Sequence, residues 1–246
     1  MIINDKFVFI HNPRTGGAFI RNIFKRSFPE SQFAELHNFH IPISQLDKCH
    51  NTKLKFGVVR NPWAWYVSLY HFQQPNGKWL RLCSQGGKLT FKQFLTTFLS
   101  LEFANKNKHR KFYPVGNPYA PKIVPVFEYI SSLDIGFFTY RYLYMFFSNY
   151  KEIFDKRVNV FDNHNNLLSL SMDNILKTEE LPNNIIKLFE HQDIAISTQD
   201  KQFWNTQPKR NYTQHKSYYD YYDKELIELV NYKDRLVIEQ YSYKFS

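Results

Sequence analysis

Between Phe7 and Gly17 the chain reads FVFIHNPRTGG, an apolar run broken by a Pro-basic-Thr-Gly-Gly turn, and it continues directly into the helix-like AFIRNIFKRSF. A strand that stops at a tight turn and feeds a helix is the opening of an α/β layer structure, because the helix has to pack back onto the sheet. Phe7 to Ile10 are β-branched or aromatic, as suits a buried strand. Gly16 and Gly17 let the backbone turn tightly with its N–H groups pointing inward. Such a cradle binds anions. The following helix adds a partial charge of about +0.5 at its start, and Arg14 and Thr15 bring side-chain donors suited to phosphate oxygens. The spacing GxxxxGK followed by Ser or Thr, which marks a nucleoside triphosphate loop, does not occur.

A second anion grip lies in KFGVVRNPWAWYVSLYHF, residues 55–72. FGVV reads as a strand, Asn61 suits a helix cap, and Pro62 fits the first helical turn, where its missing N–H has no partner. Arg60 therefore falls at a strand's carboxyl end, and Ser68 two turns into the next helix. Two grips imply a ligand carrying two phosphate groups.

With these segments in place, the chain resembles sulfotransferases that use 3′-phosphoadenosine 5′-phosphosulfate (PAPS), in particular heparan sulfate-type and bacterial carbohydrate O-sulfotransferases. PRTGG at 13–17 resembles the family's 5′-phosphosulfate loop, and VVRNPWAWYVSLYHF at 58–72 its 3′-phosphate segment. ILKTEEL at 175–181 resembles a later strand, and the stretch from KRNYTQHKSYYDYYD to YSYKF, 209–245, the carboxyl-terminal segment, all in the family's order. The family's loop usually has Lys where Arg14 stands and Ser or Thr where Ala18 stands, and arginine forks around an oxyanion where lysine delivers a point charge. The resemblance implies PAPS as donor, adenosine 3′,5′-bisphosphate as product, no metal, and a carbohydrate hydroxyl as acceptor. The donor-binding set it implies is Pro13, Arg14, Thr15, Gly16, Gly17, Ala18, Phe19, Arg60 and Ser68, with Lys209, Arg210 and Asn211 closing over the nucleotide.

An attacking alcohol has to lose its proton as the S–O bond forms, and histidine suits that task near neutral pH. Residues 35–46, ELHNFHIPISQL, lie between the loop's helix and the Arg60 strand, where relatives place an acceptor-facing histidine. The family's His is followed six residues later by an aliphatic residue, and His40 to Leu46 keeps that spacing; His37 is the second candidate. The catalytic set is then His40 or His37 with Arg14, which would stabilise charge building on the leaving phosphate.

The 246 residues suffice for one sizeable core, and no linker or repeat interrupts them. We expect a single sulfotransferase domain, α/β with a central parallel sheet flanked by helices and a P-loop-like phosphate-binding loop, and a variable acceptor-side insert at about 73–170. The expected strands are 7–11, 33–36, 55–60 and 174–178; the expected helices are 16–27, 42–48, 63–73, 90–103, 122–131, 139–149, 182–190 and 223–240. In such sheets ligands bind beyond the strands' carboxyl ends. The formal net charge of +10 favours anionic ligands, and the motifs sit at strand ends rather than along a helix face, which argues against nucleic acid. FFTYRYLYMFF at 137–147 is too short for a membrane span and reads as core. MIINDKFVF is already strand-like, with no charged-then-apolar leader, and Cys49 and Cys83 form no framework of pairs, so a cytoplasmic protein with free thiols is expected. Two other readings stay open: a nucleotide-dependent small-metabolite kinase, and a nucleotide- or glycan-binding homologue with weak or no transferase activity.

Overall fold

In the computed structural model the described residues are 1–29, 33–35, 40–76, 88–99, 130–162, 168–208 and 215–245. The chain is α/β. Five strands, β1 (Ile2–Asn4), β2 (Phe7–Ile10), β3 (Phe33–Glu35), β4 (Leu54–Val59) and β5 (Asn174–Lys177), form one sheet in the order β3-β1-β2-β4-β5. β2, β4 and β5 are parallel, with Phe9 opposite Phe56 and Val58 opposite Leu176. β1 runs antiparallel to both β2 and β3. The sheet is therefore mixed, with the expected parallel part in β2, β4 and β5 and an antiparallel edge: the short link Asp5-Lys6 between β1 and β2 leaves no room for a crossover, so those two strands pair as a hairpin.

The described residues divide into two compact units. The first comprises 1–61, 142–150 and 169–212 and holds the whole sheet; the second comprises 62–141, 151–168 and 213–246. In the first unit all four residues of β2 are fully enclosed. Helix α1 (Gly17–Ser27) contributes Ile20, Ile23 and Phe24, spaced three and four apart on one face, and ends with Lys25 and Arg26 at its negative pole. Phe7, Phe24, Phe56 and Phe189 pack ring against ring, with Phe7 5.0 Å from Phe24, 5.8 Å from Phe56 and 4.9 Å from Phe189. Gly57, in β4, lies under the Phe146 ring, where a Cβ would come within 2.8 Å of Phe146 Cζ.

The second unit holds α2 (Pro62–Asn76), α3 (Phe91–Leu99), α8 (Lys224–Lys233), α9 (Arg235–Gln240) and all but the first residue of α5 (Tyr150–Asp155), and α4 (Phe137–Phe146) begins in it. α2 is buried all round from Pro62 to Leu69. The expected helix 223–240 is two helices, because Asp234 leaves helical geometry and turns its carboxylate inward. Its Oδ1 accepts from the Thr139 N–H and hydroxyl, each at 2.8 Å, and its Oδ2 from the Tyr66 hydroxyl at 2.7 Å. Burial outweighs these hydrogen bonds and raises the Asp234 carboxyl to about 6.

The expected short helix 42–48 is instead two 3-10 turns, Ile43–Gln45 and Lys48–His50, the second capped by Asp47 accepting from the Cys49 N–H. Two helices were not legible in the sequence. α6 (Asn183–His191) matches the expected 182–190, but α7 (Thr198–Thr206) was missed because only Trp204 of it is buried. α5 was also missed, the expected 139–149 being displaced to 137–146 by an irregular break before Tyr150. The expected helix at 122–131 falls largely outside the described residues.

Candidate functional site

The carboxyl ends of the three parallel strands meet in the first unit. After β2 the chain turns through Asn12-Pro13-Arg14-Thr15-Gly16 into α1. Gly16 has φ 86°, the left-handed region that favours glycine, and forms the start of α1 with no side chain capping it. Its carbonyl accepts from the Phe19 and Ile20 N–H groups at 3.0 and 3.2 Å. Arg14 also has positive φ, 63°, a conformation that costs an L-residue about 1–2 kcal/mol and collects at functional sites.

The two loop glycines serve different ends. Gly17 is helical, so its lack of a side chain is not a backbone requirement; a Cβ there would collide with the imidazole of His11. The expectation that both glycines are needed for the turn is corrected accordingly. Thr15 is fully enclosed, and its hydroxyl donates to the Asn12 carbonyl at 2.8 Å, bracing the loop from inside.

β4 ends beside this loop. Arg60 Nη1 donates to the Arg14 carbonyl at 3.3 Å. Burial first, and then the Arg60 charge, pull Arg14 down to about 10. β5 completes the site through a 3-10 turn, Thr178–Glu180. Thr178 donates its hydroxyl to the Val59 carbonyl at 2.8 Å, and Glu179 Oε1 accepts the Asn61 N–H at 2.8 Å. These bonds fix the turn that carries Arg60. Gly16 is held from the same side, with Leu181 Cδ1 3.2 Å from where its Cβ would stand.

His40 lies against the same loop. Its Nδ1 is 3.1 Å from the His11 carbonyl, and the two imidazole rings are 4.6 Å apart, tilted by 53°. His11 was missed by sequence reasoning; its signal is its position, two residues after Phe9 on the same strand face and immediately before the loop. His37, Lys209, Arg210 and Asn211 lie outside the described residues. The segment leading to the last three starts beside α1, where Asn22 Nδ2 donates to Gln207 Oε1 at 3.4 Å. Pro13, Ala18 and Phe19 flank the loop, half-buried. Ser68 is 2 % exposed and belongs to the second unit. Among the described residues, no group of three His, Cys, Asp or Glu is arranged to hold a metal ion, and no helix is long and apolar enough to cross a membrane.

Against family models, curated protein sequences and solved structures, the chain matches none.

Proposed function

We propose that the protein is a PAPS-dependent sulfotransferase that moves a sulfuryl group onto a carbohydrate hydroxyl. The observation that carries the reading is the convergence of Arg60 on the loop that holds Arg14. Arg60, at the end of β4, donates to the Arg14 carbonyl in the glycine turn that starts α1, and its charge adds to burial in pulling Arg14 down. Holding like charges together is unfavourable in the free protein and becomes favourable when an anion lies between them. The donor carries phosphate at its 5′ and 3′ positions, and the resemblance assigns these to the loop and to Arg60. Lys209, Arg210 and Asn211 join that set by resemblance.

His40 supplies the base. Its Nδ1 faces the His11 carbonyl at 3.1 Å, and the reading assigns the proton transfer to Nε2. The acceptor's oxygen–sulfur bond forms as the sulfur–phosphate oxygen bond breaks; the alcohol proton goes to Nε2 and the electron pair leaves on the phosphate. Arg14 and the N–H groups at the start of α1 stabilise that growing charge. The net charge of +10 suits an anionic glycan as acceptor.

Calorimetry with adenosine 3′,5′-bisphosphate and with ATP, both without magnesium, tests the nucleotide. The bisphosphate is expected to bind far more tightly; equal or reversed affinities would sink the reading in favour of a kinase. Incubation with PAPS carrying labelled sulfate and a panel of oligosaccharides tests transfer, and bisphosphate binding with no transfer to any of them supports the binding homologue instead.

A further inference from the structure

We infer that the groove between the end of α1 and the flank of α7 holds an acidic sugar of the acceptor chain, with the Arg26 guanidinium as its anion grip. The inference deepens the transferase reading and takes the acceptor from it, while its geometry stands apart. Both helices belong to the first unit. The Ser27 hydroxyl donates to Asp200 Oδ1 and accepts from Trp204 Nε1, both at 2.8 Å, and Asn22 donates to Gln207, so α7 runs back along α1 toward the phosphate loop. Beside this seam lies an open groove of about 750 Å³. Arg26 is in the last turn of α1, about 14 Å along the axis from Gly17. A ligand held there is a distal unit of a chain rather than the reacting sugar.

Arg26 is set for an anion. Its guanidinium carbon stands 3.9 Å from the centroid of Phe203, a ring partly buried against the core. Stacking fixes the plane of the fork and leaves its N–H edges at the surface. Ordering a long side chain usually opposes binding; here it precedes the ligand. Among the described residues those N–H groups meet no acceptor. The neighbouring acids are engaged elsewhere: Asp200 accepts from the Ser27 and Ser197 hydroxyls, and Glu190 pairs with Lys201, the other cation of the groove, at 2.6 Å. No described carboxylate lines the groove. Gln199 and Gln202, exposed and a turn apart on α7, also have no partner among the described residues. An amide offers a donor and an acceptor together, as sugar hydroxyls require. One arginine fork followed by neutral amides fits a carboxylate or sulfate with hydroxyls alongside. Nucleic acid, with a phosphate on every unit, would call for a row of cations instead.

The test titrates the full chain, with no donor present and in 0.15 M salt, with a heparin hexasaccharide, which carries carboxylate and sulfate groups, and with uncharged maltohexaose. Nitrogen–proton NMR follows the Arg26 Nε–H signal, and calorimetry gives Kd. The heparin hexasaccharide is expected to shift that signal and maltohexaose to leave it in place. Arg26→Met, which keeps an apolar stem over Phe203 and removes the fork, is expected to raise Kd on the order of 10- to 100-fold. Lys25→Met makes the same change of net charge one residue away and is expected to raise it by less than about 3-fold. Equal losses in the two variants mark general charge attraction and overturn the inference. So does an Arg26 signal that the hexasaccharide leaves in place, or a single-stranded oligonucleotide that binds more tightly than the hexasaccharide and loses its affinity in Arg26→Met. Sulfate transfer by the wild type, with hexasaccharide affinity unchanged in Arg26→Met, overturns the groove alone. Failure to bind adenosine 3′,5′-bisphosphate counts against the transferase reading alone, since the hexasaccharide is read without any donor.

Discussion

Replacing Arg60 with methionine separates a ligand-binding arginine from a structural one. In the free protein Arg14 is depressed from its ordinary value to about 10, with burial the larger cause and Arg60 the smaller. That depression corresponds to about 3 kcal/mol against the charged form, so Arg60's share lies under about 2 kcal/mol. Arg60→Met relieves this repulsion but loses the donation to the Arg14 carbonyl, a bond from a charged donor that contributes about 1.5–3 kcal/mol at most. The two effects offset each other, and the unfolding free energy by urea titration is expected to stay within about 1 kcal/mol of wild type. Binding of adenosine 3′,5′-bisphosphate has no such compensation. Loss of a charge-assisted grip is expected to cost about 1.5–3 kcal/mol, or roughly 10- to 150-fold in Kd by calorimetry. The reverse pattern, a variant destabilised by more than about 2 kcal/mol with unchanged affinity, would show that Arg60 is a structural strut and would refute the reasoning.

Gly16→Ala forces a side chain into left-handed backbone beside Leu181 and is expected to lower stability by about 1–2 kcal/mol; Gly16→Asn, which tolerates that region, should lose less in the same thermal-unfolding comparison. In β4, Gly57→Ala drives a methyl to 2.8 Å from Phe146 Cζ and 3.2 Å from Ile175 Cδ1, for an expected loss of about 1–3 kcal/mol in urea; a loss below about 0.5 kcal/mol would mean that the ring moves aside freely. Asp234 has a folded value of about 6 against 3.8 in the unfolded chain. The native state therefore binds its proton more tightly, and the stability this adds, about 3 kcal/mol, is fully present below pH 3.8 and lost as pH rises through about 6. Asp234→Asn should remove that slope from unfolding curves taken between pH 4 and 7, and equal slopes in variant and wild type would count against a buried carboxylate at that position.

Much of the first unit was readable in the chain because its signals are local. FVFI, the glycine turn and the Ile20-Ile23-Phe24 face specify strand, loop and helix within twenty-one residues, and FGVVRNP does the same for β4 and the turn after it. Helix α7 was not readable, since a single buried Trp204 held by the Ser27 hydroxyl at 2.8 Å leaves no periodic pattern. The break at Asp234 depends on Thr139 and Tyr66, 95 and 168 residues away, and no local propensity encodes it.

The sequence by itself determined an α/β chain with a strand-glycine turn-helix opening and an arginine at a second strand's end, because backbone preference and apolar periodicity act over a few neighbouring residues. Pairing decided the rest: the hairpin that makes the sheet mixed, the approach of Arg60 to the Arg14 carbonyl, and the seating of the His11 ring against Gly17 and His40. Each is a contact between groups whose approach is set by the register of strands and the seating of a helix, which exist only once the chain has folded.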